Sequence, residues 1–191
     1  MTRRILLVVL LTAASAVAVT AQTAAVKDYY NQENKVGFKY PASWGAPGKG
    51  QWKLGKEEHQ IGGGVEEPGF TVLVDLTPSD EWRGAGGVTQ AEVSLKVATI
   101  DEATCKDMNK LDPDAGKTRS EKIGTRTFYY IVGYDSGMGH TGATHFYRTF
   151  QDGKCYEMAF LRYGAIVRKK EPGEITLDQQ YTAILHSLYF K

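Results

Sequence analysis

The sequence predicts an α+β fold in which a C-terminal helix packs on a central, mostly antiparallel sheet. The first observation is a run of three Tyr- and Phe-rich segments, residues 126–134, 144–150 and 155–163, each with the length and composition of a strand. The second is the dipeptide Asp152-Gly153 between the last two segments. The third is an apolar stripe at helical spacing over residues 177–188. Consecutive hairpins with an amphipathic helix are typical of the α+β class.

The dipeptide Asp152-Gly153 fixes the pairing of the strands on either side of it. Asp-Gly suits a type I′ turn, because both central residues of that turn need positive φ. A two-residue loop places Phe150 opposite Cys155 and Arg148 opposite Glu157, and the charge pair stabilises the sheet by a few tenths of a kcal/mol. Large apolar side chains fall on both faces of this hairpin, so the sheet must be covered at least partly on both sides.

Four segments upstream of this meander are also predicted as strands, because they alternate apolar and polar residues or are nearly continuous in apolar character. They are residues 36–40, 51–56, 70–76 and 93–98. Pro41 ends the first strand, since proline cannot donate to a sheet ladder, and Trp44 is expected to plug the end of the core. Thr89 and Glu92 match a capping box, so a helix beginning there is the alternative for the last segment.

Two helices are predicted. The first covers residues 101–111, with Asp101 as its N-cap, and Pro113 prevents it from continuing. The second follows a linker at residues 172–174 and begins at a capping box that starts with Thr176. Its apolar stripe consists of Leu177, Tyr181, Ile184, Leu185 and Leu188. The last residues, 189–190, add a short strand or dock the tail.

The first residues predict a secretory signal peptide, residues 1–21. Arg3 and Arg4 precede an apolar run, and small side chains favour cleavage near Ala21. A retained membrane anchor is the alternative, but the run is shorter than the roughly 20 residues that a span needs. We therefore expect one exported domain, residues 22–191, periplasmic or secreted, with residues 22–34 as a flexible N-terminal arm and with no membrane span.

The charge balance argues against nucleic acid and anionic membranes as partners. Removing the signal peptide reduces the 23 Lys and Arg residues to 21, against 22 Asp and Glu residues, which gives a net charge of −1. Binding to a phosphate backbone or to an anionic surface depends on an excess of positive charge. We therefore expect neither partner.

The two cysteines, Cys105 and Cys155, are predicted to form one disulfide. Export places them in an oxidising compartment, and an even number of thiols can pair completely. Closing a loop of about 50 residues would stabilise the fold by roughly 3–4 kcal/mol in the chain-entropy model. Two free, buried thiols are the alternative. A structural zinc site is not expected, since it needs four ligands at short spacing.

The predicted domain opens with the motif Phe38-Lys39-Tyr40-Pro41-Ala42-Ser43-Trp44. Together with the order of the elements, the Asp152-Gly153 hairpin and the closing helix, this motif resembles the F-x-x-P-x-x-W opening of PsbP-like and DcrB-like proteins. The resemblance spans most of the mature chain. It implies an α/β/α sandwich around a mostly antiparallel sheet and a mainly non-enzymatic role in binding or assembly. It carries over the fold and no site residue.

Residues 137–142 match the G-x-G-x-x-G pattern of dinucleotide-binding loops. That pattern binds a pyrophosphate where the loop opens a helix, whose N-terminus receives the negative charge. Here residues 143–150 are predicted as a strand. We therefore expect no nucleotide and no other cofactor.

A loop between the first two segments of the meander, residues 135–143, is the candidate binding region. The candidate residues in and beside it are Asp135, Ser136, His140, Thr141 and His145. A hydrolase would use Asp135, Ser136 and His140, but Ser136 lies one place late for a nucleophile elbow. The set Asp135, His140 and His145 lacks the tight spacing of a metal site. We assign no catalytic and no metal-binding residue, and simple solvation of the loop is the alternative.

The sequence thus predicts an exported, non-catalytic binding or assembly domain. Its partner is an unidentified protein or small ligand of the cell envelope, bound through the loops at one end of the sheet. The alternative function is a periplasmic hydrolase or metal-dependent enzyme that uses residues 135–145.

Overall fold

The structure is a computed structural model that describes residues 25–45, 69–78, 88–109, 117–137, 139–165 and 172–191. Within these ranges the chain forms strands and helices in a single order. They are β1 (Val26–Asn31), β2 (Val36–Pro41), β3 (Thr71–Leu76), β4 (Val88–Ala98), α1 (Glu102–Lys106), β5 (Arg119–Ile123), β6 (Arg126–Gly137), β7 (His140–Gln151), β8 (Lys154–Ala165), α2 (Pro172–His186) and β9 (Tyr189–Phe190).

Six strands form one antiparallel sheet in the order β3-β4-β8-β7-β6-β5. The other three form a small antiparallel sheet in the order β1-β2-β9. Antiparallel sheets packed with two helices make an α+β fold, which confirms the predicted class. Within the described ranges, no helix is long and apolar enough to cross a membrane.

The turn at Asp152-Gly153 joins β7 to β8 in the predicted register. The backbone angle φ is +51° at Asp152 and +75° at Gly153, as a type I′ turn requires. Phe150 lies opposite Cys155, and Arg148 lies opposite Glu157. Because β4 pairs with the other edge of β8, this hairpin supplies the centre of the sheet.

The two helices lie on opposite faces of the six-stranded sheet. Cys155 and Phe160 point to opposite faces of β8, because they are an odd number of residues apart in a regular strand. Cys155 forms the predicted disulfide with Cys105 of α1, with an S–S distance of 2.03 Å, and we call this the disulfide face. The ring of Phe160 lies 5.0 Å from the ring of Tyr181 in α2, and we call this the core face.

The core face is covered by α2 together with β2. The buried residues of these two elements include Leu177, Tyr181, Ile184, Leu185 and Leu188 of α2 and Val36, Phe38 and Tyr40 of β2. Trp44 is 2% exposed and meets the ring of Tyr181 edge-on at 6.2 Å, as expected for a residue that plugs the end of the core. Burial of a large apolar side chain stabilises a fold by about 1.5–3 kcal/mol.

A buried ion network lies on the disulfide face. Glu157 accepts hydrogen bonds from Nε and Nη2 of Arg148 at 2.9 and 2.7 Å, and Nζ of Lys96 lies 3.2 Å from its other oxygen. The guanidinium of Arg148 lies 4.8 Å from the ring centroid of Phe70. Arg148 and Glu157 are only 1% and 2% exposed, which the sequence did not predict. Removing one partner of such a pair therefore costs several kcal/mol and not a few tenths.

The upstream strand predictions are confirmed wherever the structure describes them. Residues 36–40 belong to β2, and residues 70–76 correspond to β3. Residues 93–98 belong to β4, so the alternative of a helix beginning at Thr89 is wrong. The possible strand at residues 51–56 lies outside the described residues.

The predicted flexible arm, residues 22–34, contains a strand. Residues 26–31 form β1, which pairs along the whole length of β2. The ring of Tyr29 packs on Phe38 at 5.3 Å, and its hydroxyl donates to the carbonyl oxygen of Leu73 at 3.0 Å. These contacts hold β1 against the core, which the polar composition of the segment concealed.

Both helices differ in length from their predictions. Asp101 is the N-cap of α1 and accepts the N–H of Thr104 at 2.9 Å, but the helix ends at Lys106, earlier than predicted. The helix α2 begins at Pro172, so the expected linker at residues 172–174 is helical. Proline is favourable at the first position of a helix, because its nitrogen needs no hydrogen-bond partner there.

Candidate functional site

The predicted site lies in the hairpin of β6 and β7, and this hairpin is paired almost to its tip. Pairing continues as far as Gly137 opposite His140. Gly139, in the connection, has a φ of +84°, which favours glycine. The loop predicted over residues 135–143 is therefore wrong for most of its length. The structure also shows that a strand follows the G-x-G-x-x-G pattern, so the helix that a pyrophosphate site requires does not occur there.

Alternation along β6 and β7 separates the predicted site residues onto two faces. Ser136 lies opposite Thr141, and both share the core face with His145. His140 is an odd number of residues from His145 and so lies on the disulfide face. There its ring stacks on Tyr163, with 5.7 Å between the centroids and 14° between the planes.

This separation changes what the five residues can do together. Ser136 and His140 cannot act as nucleophile and base, because the sheet lies between them. For the same reason His140 and His145 cannot share a metal ion. Asp135 pairs with Gly142 in the ladder. Among the described residues, no three His, Cys, Asp or Glu side chains lie close enough together to hold a metal.

The core face of this hairpin carries an aromatic surface that becomes exposed towards the tip. We call it the hairpin surface, and it consists of Tyr130, Val132, Tyr134 and Ser136 of β6 and Thr141, Ala143, His145 and Tyr147 of β7. The rings of Tyr130 and Tyr147 stack at 5.5 Å, and Tyr147 meets Phe160 edge-on at 5.9 Å. Tyr134, nearer the tip, is 69% exposed. The surface thus runs from the buried core to solvent.

The base of the hairpin surface is electrostatically fixed. Burial raises the pKa of Tyr147 to about 12, and the negative charge of Glu121 adds to the shift. The hydroxyl therefore stays protonated at neutral pH and remains a hydrogen-bond donor. On the adjoining strand, Arg162 lies 3.2 Å from Asp178 and 3.7 Å from Glu174, which ties α2 to β8 beside the hairpin.

An acidic pair on the disulfide face was not predicted from the sequence. Burial raises the pKa of Glu92 to about 8, and the nearby carboxylate of Asp75 raises it further. Ser94 lies opposite Asp75 and is buried. The available signal was the alternation of Glu92, Ser94 and Lys96 along β4, which places three polar side chains on one face of a central strand.

Sequence reasoning also missed the aromatic residues of the hairpin surface. The alternation of Tyr130, Val132, Tyr134 and Ser136 was the available signal, because it continues the strand past residue 134. Asp, Ser and Gly in the next positions are typical of turns and obscured it.

No protein-family model matches the chain, and no curated protein matches its sequence. Solved structures nevertheless share its fold. A structure from Bacteroides thetaiotaomicron VPI-5482 is similar with a TM-score of 0.52 and 11% sequence identity, over 86% of this chain and 48% of the other. The chain therefore spans about half the length of that protein.

Two further structures are similar with lower scores. The Ran-binding protein Mog1p of Saccharomyces cerevisiae has a TM-score of 0.46 and 8% identity, over 88% of this chain and 96% of Mog1p. LpqN, involved in cell envelope biogenesis of Mycobacterium tuberculosis, has a TM-score of 0.44 and 10% identity, over 90% of this chain and 87% of LpqN. We base no argument on these two scores. The α+β fold is shared with known structures, and membership of the PsbP-like and DcrB-like proteins stays a prediction.

Proposed function

We propose that this chain is an exported, non-catalytic domain that binds a protein of the cell envelope through the hairpin surface. The observation that carries the proposal is Tyr134, a large aromatic side chain that is 69% exposed at the end of a packed aromatic row. Tyrosine is enriched in protein interfaces, because it offers a large, rigid apolar area with a polar tip. Ser136 and Thr141 are exposed beside it and offer hydroxyl groups to a partner.

The shape of the hairpin surface favours a protein over a small molecule. Sites for small molecules are concave and enclose most of the ligand, whereas one face of a hairpin is broad and open. A shallow depression does occur on this domain, but it lies on α2, away from the hairpin residues. It is lined by Ile175, Asp178, Gln179 and Thr182.

Three observations support export and a non-catalytic role. The first residues have the charge and apolar pattern of a signal peptide. The disulfide between Cys105 and Cys155 fits an oxidising compartment. The separation of Ser136 from His140 removes the arrangement on which the hydrolase alternative depended. The resemblance to PsbP-like and DcrB-like proteins points the same way.

Site-specific photo-crosslinking tests the proposal in the intact cell envelope. A photo-reactive amino acid replaces Tyr134, and a matched control variant carries it at Thr127, which is exposed near the other end of β6. We expect one discrete crosslinked product from position 134, with a yield at least about tenfold above that from position 127, which corresponds to about 1.4 kcal/mol of binding preference.

Two results would overturn the proposal. One is the absence of any crosslinked product from position 134, and the other is an equal yield from positions 134 and 127. Circular dichroism of both purified variants checks that each has kept the fold, so a negative result cannot be blamed on misfolding.

A further inference from the structure

The outer face of the small sheet carries a pair of tyrosines. Tyr30 of β1 and Tyr189 of β9 both pair with Gly37 of β2, which lies between them. Their rings are nearly parallel, with 7° between the planes and 6.1 Å between the centroids. The neighbouring Tyr29 packs against the core, so alternation directs Tyr30 to solvent, where it is 37% exposed.

Gly37 allows the ring of Tyr189 to lie directly on the backbone of β2. A Cβ atom at this position would lie 2.6 Å from the Tyr189 ring and 2.5 Å from the carbonyl oxygen of Tyr29, which is closer than real Cβ atoms come. The hydroxyl of Tyr189 donates to Oδ2 of Asp28 at 2.9 Å, and this bond orients the ring. We call Tyr30, Tyr189 and Asp28 the tyrosine platform.

An ammonium group of the chain itself lies over the platform. Nζ of Lys191 is 4.5 Å from the ring centroid of Tyr30 and 5.5 Å from that of Tyr189. Within about 6 Å, the negative face of an aromatic ring attracts a cation. The backbone N–H of Lys191 donates to the carbonyl oxygen of Lys35 at 2.9 Å, which anchors the main chain, while the exposed side chain can rotate away.

We propose that the tyrosine platform is a binding site for a quaternary ammonium group of the choline type, which displaces the Lys191 side chain. A lysine ammonium is compact and strongly hydrated, whereas a trimethylammonium group loses less hydration when it lies on ring faces. Its methyl groups also bury apolar area against the two tyrosines. The carboxylate of Asp28 adds negative potential at the edge of the platform.

A purely structural account of these residues makes a different prediction. Aromatic side chains shield glycines in sheets, and this explains why Tyr189 lies on Gly37. It assigns no role to the cation over Tyr30, and it predicts no ligand. Saturable binding of a quaternary ammonium group therefore distinguishes the two accounts.

Titration of the full mature chain with choline, followed by the NMR signals of the tyrosine rings, tests the proposal. We expect saturable shifts for Tyr30 and Tyr189. The variants Tyr30→Leu and Tyr189→Leu should each weaken binding about tenfold, because each removes one ring face. Lys191→Ala should strengthen binding about threefold, because it removes the internal competitor. The matched control Tyr134→Leu removes an exposed tyrosine elsewhere and should leave the affinity unchanged.

Two comparisons define the chemistry and the source of the ligand. The neutral tert-butyl analogue of choline has the same shape without the charge, so we expect it to bind about tenfold more weakly. Sedimentation with phosphatidylcholine vesicles, but not with phosphatidylglycerol vesicles, would identify a lipid headgroup as the source. Binding of free choline without vesicle binding would identify a soluble ligand.

Three results would overturn the proposal. They are the absence of saturable choline binding, equal binding of the neutral analogue, and an affinity that Tyr30→Leu leaves unchanged. Tyr30 lies on the exposed face, and thermal unfolding of each variant verifies that the fold is intact.

Discussion

The two ends of the meander formed by β6, β7 and β8 differ in how they are held. At the Asp152-Gly153 end, which we call the turn end, Cys155 is bonded to α1 on the disulfide face. On the core face, Lys154 donates to Oδ1 of Asn34 at 2.9 Å, and the hydroxyl of Tyr156 donates to the carbonyl oxygen of Asn34 at 3.1 Å. The turn end is therefore tied to the rest of the domain on both faces.

The opposite end, at Gly139, presents its side chains to solvent. Tyr134 is 69% exposed, and Ser136 and Thr141 are exposed beside it. The same three strands thus carry stabilising contacts at one end and polar and aromatic side chains without a covering element at the other. The difference suggests that stability and binding are divided between the two ends, and each prediction below tests one side of that division.

The largest expected effect is on stability, from the variant Arg148→Met near the turn end. It leaves the buried carboxylate of Glu157 with Lys96 as its remaining cation, so we expect the free energy of unfolding to fall by about 3–5 kcal/mol. Urea denaturation measures the loss. The double variant Arg148→Met/Glu157→Met should recover much of it, because no unpaired charge remains. A loss below about 1 kcal/mol would contradict the importance of this pair.

Removal of the disulfide is the next largest effect. The double variant Cys105→Ala/Cys155→Ala opens a loop with a sequence separation of 50. We expect it to lower the free energy of unfolding by about 3–4 kcal/mol, since the unfolded chain gains conformational entropy. Dithiothreitol should lower the stability of the unaltered protein by the same amount and leave the double variant unaffected. Equal stability of both proteins without reductant would refute the prediction.

The pH dependence of stability should reveal Glu92. Burial, and then Asp75, raise its pKa in the folded protein to about 8, from 4.5 in the unfolded chain. The folded protein therefore binds more protons between these values, so the stability from protonated Glu92 is complete below 4.5 and is lost as the pH rises through 8. Urea denaturation from pH 5 to 9 should show this decline, and Glu92→Gln should flatten it. The exposed Glu121 provides the control variant Glu121→Gln, which should retain the slope.

The smallest expected effect on stability comes from the hairpin end. Tyr134→Ser removes a side chain that is 69% exposed, so the free energy of unfolding should change by no more than about 0.5 kcal/mol. A loss of several kcal/mol in urea denaturation would show that Tyr134 is part of the core, and the division between the two ends would then fail.

The turn end was predictable from local rules. Asp152-Gly153 has a turn chemistry that requires positive φ, and one correct pair then determines the whole register of β7 and β8. The stripe of α2 was equally clear, because apolar residues at helical spacing have few other interpretations. The burial of Arg148 and Glu157 was not predictable, since it depends on what covers the sheet.

The hairpin end and β1 were mispredicted for related reasons. Residues 135–143 are rich in Gly, Ser and Thr, which are frequent in loops, yet cross-strand pairing with the rest of β6 and β7 extends both strands through them. Residues 26–31 are half polar because one face of β1 faces solvent. In both places tertiary pairing outweighed local composition, and the separation of Ser136 from His140 followed from it.

The most direct test of the division between the two ends is a crosslinking measurement at the hairpin surface. The photo-reactive amino acid replaces Thr141, which lies opposite Ser136, and the yield of crosslinked product in the cell envelope is compared with and without Tyr134→Ser. Our account predicts a yield lower by about tenfold in the Tyr134→Ser background, equivalent to about 1.4 kcal/mol, with unfolding unchanged. An unchanged yield would contradict it.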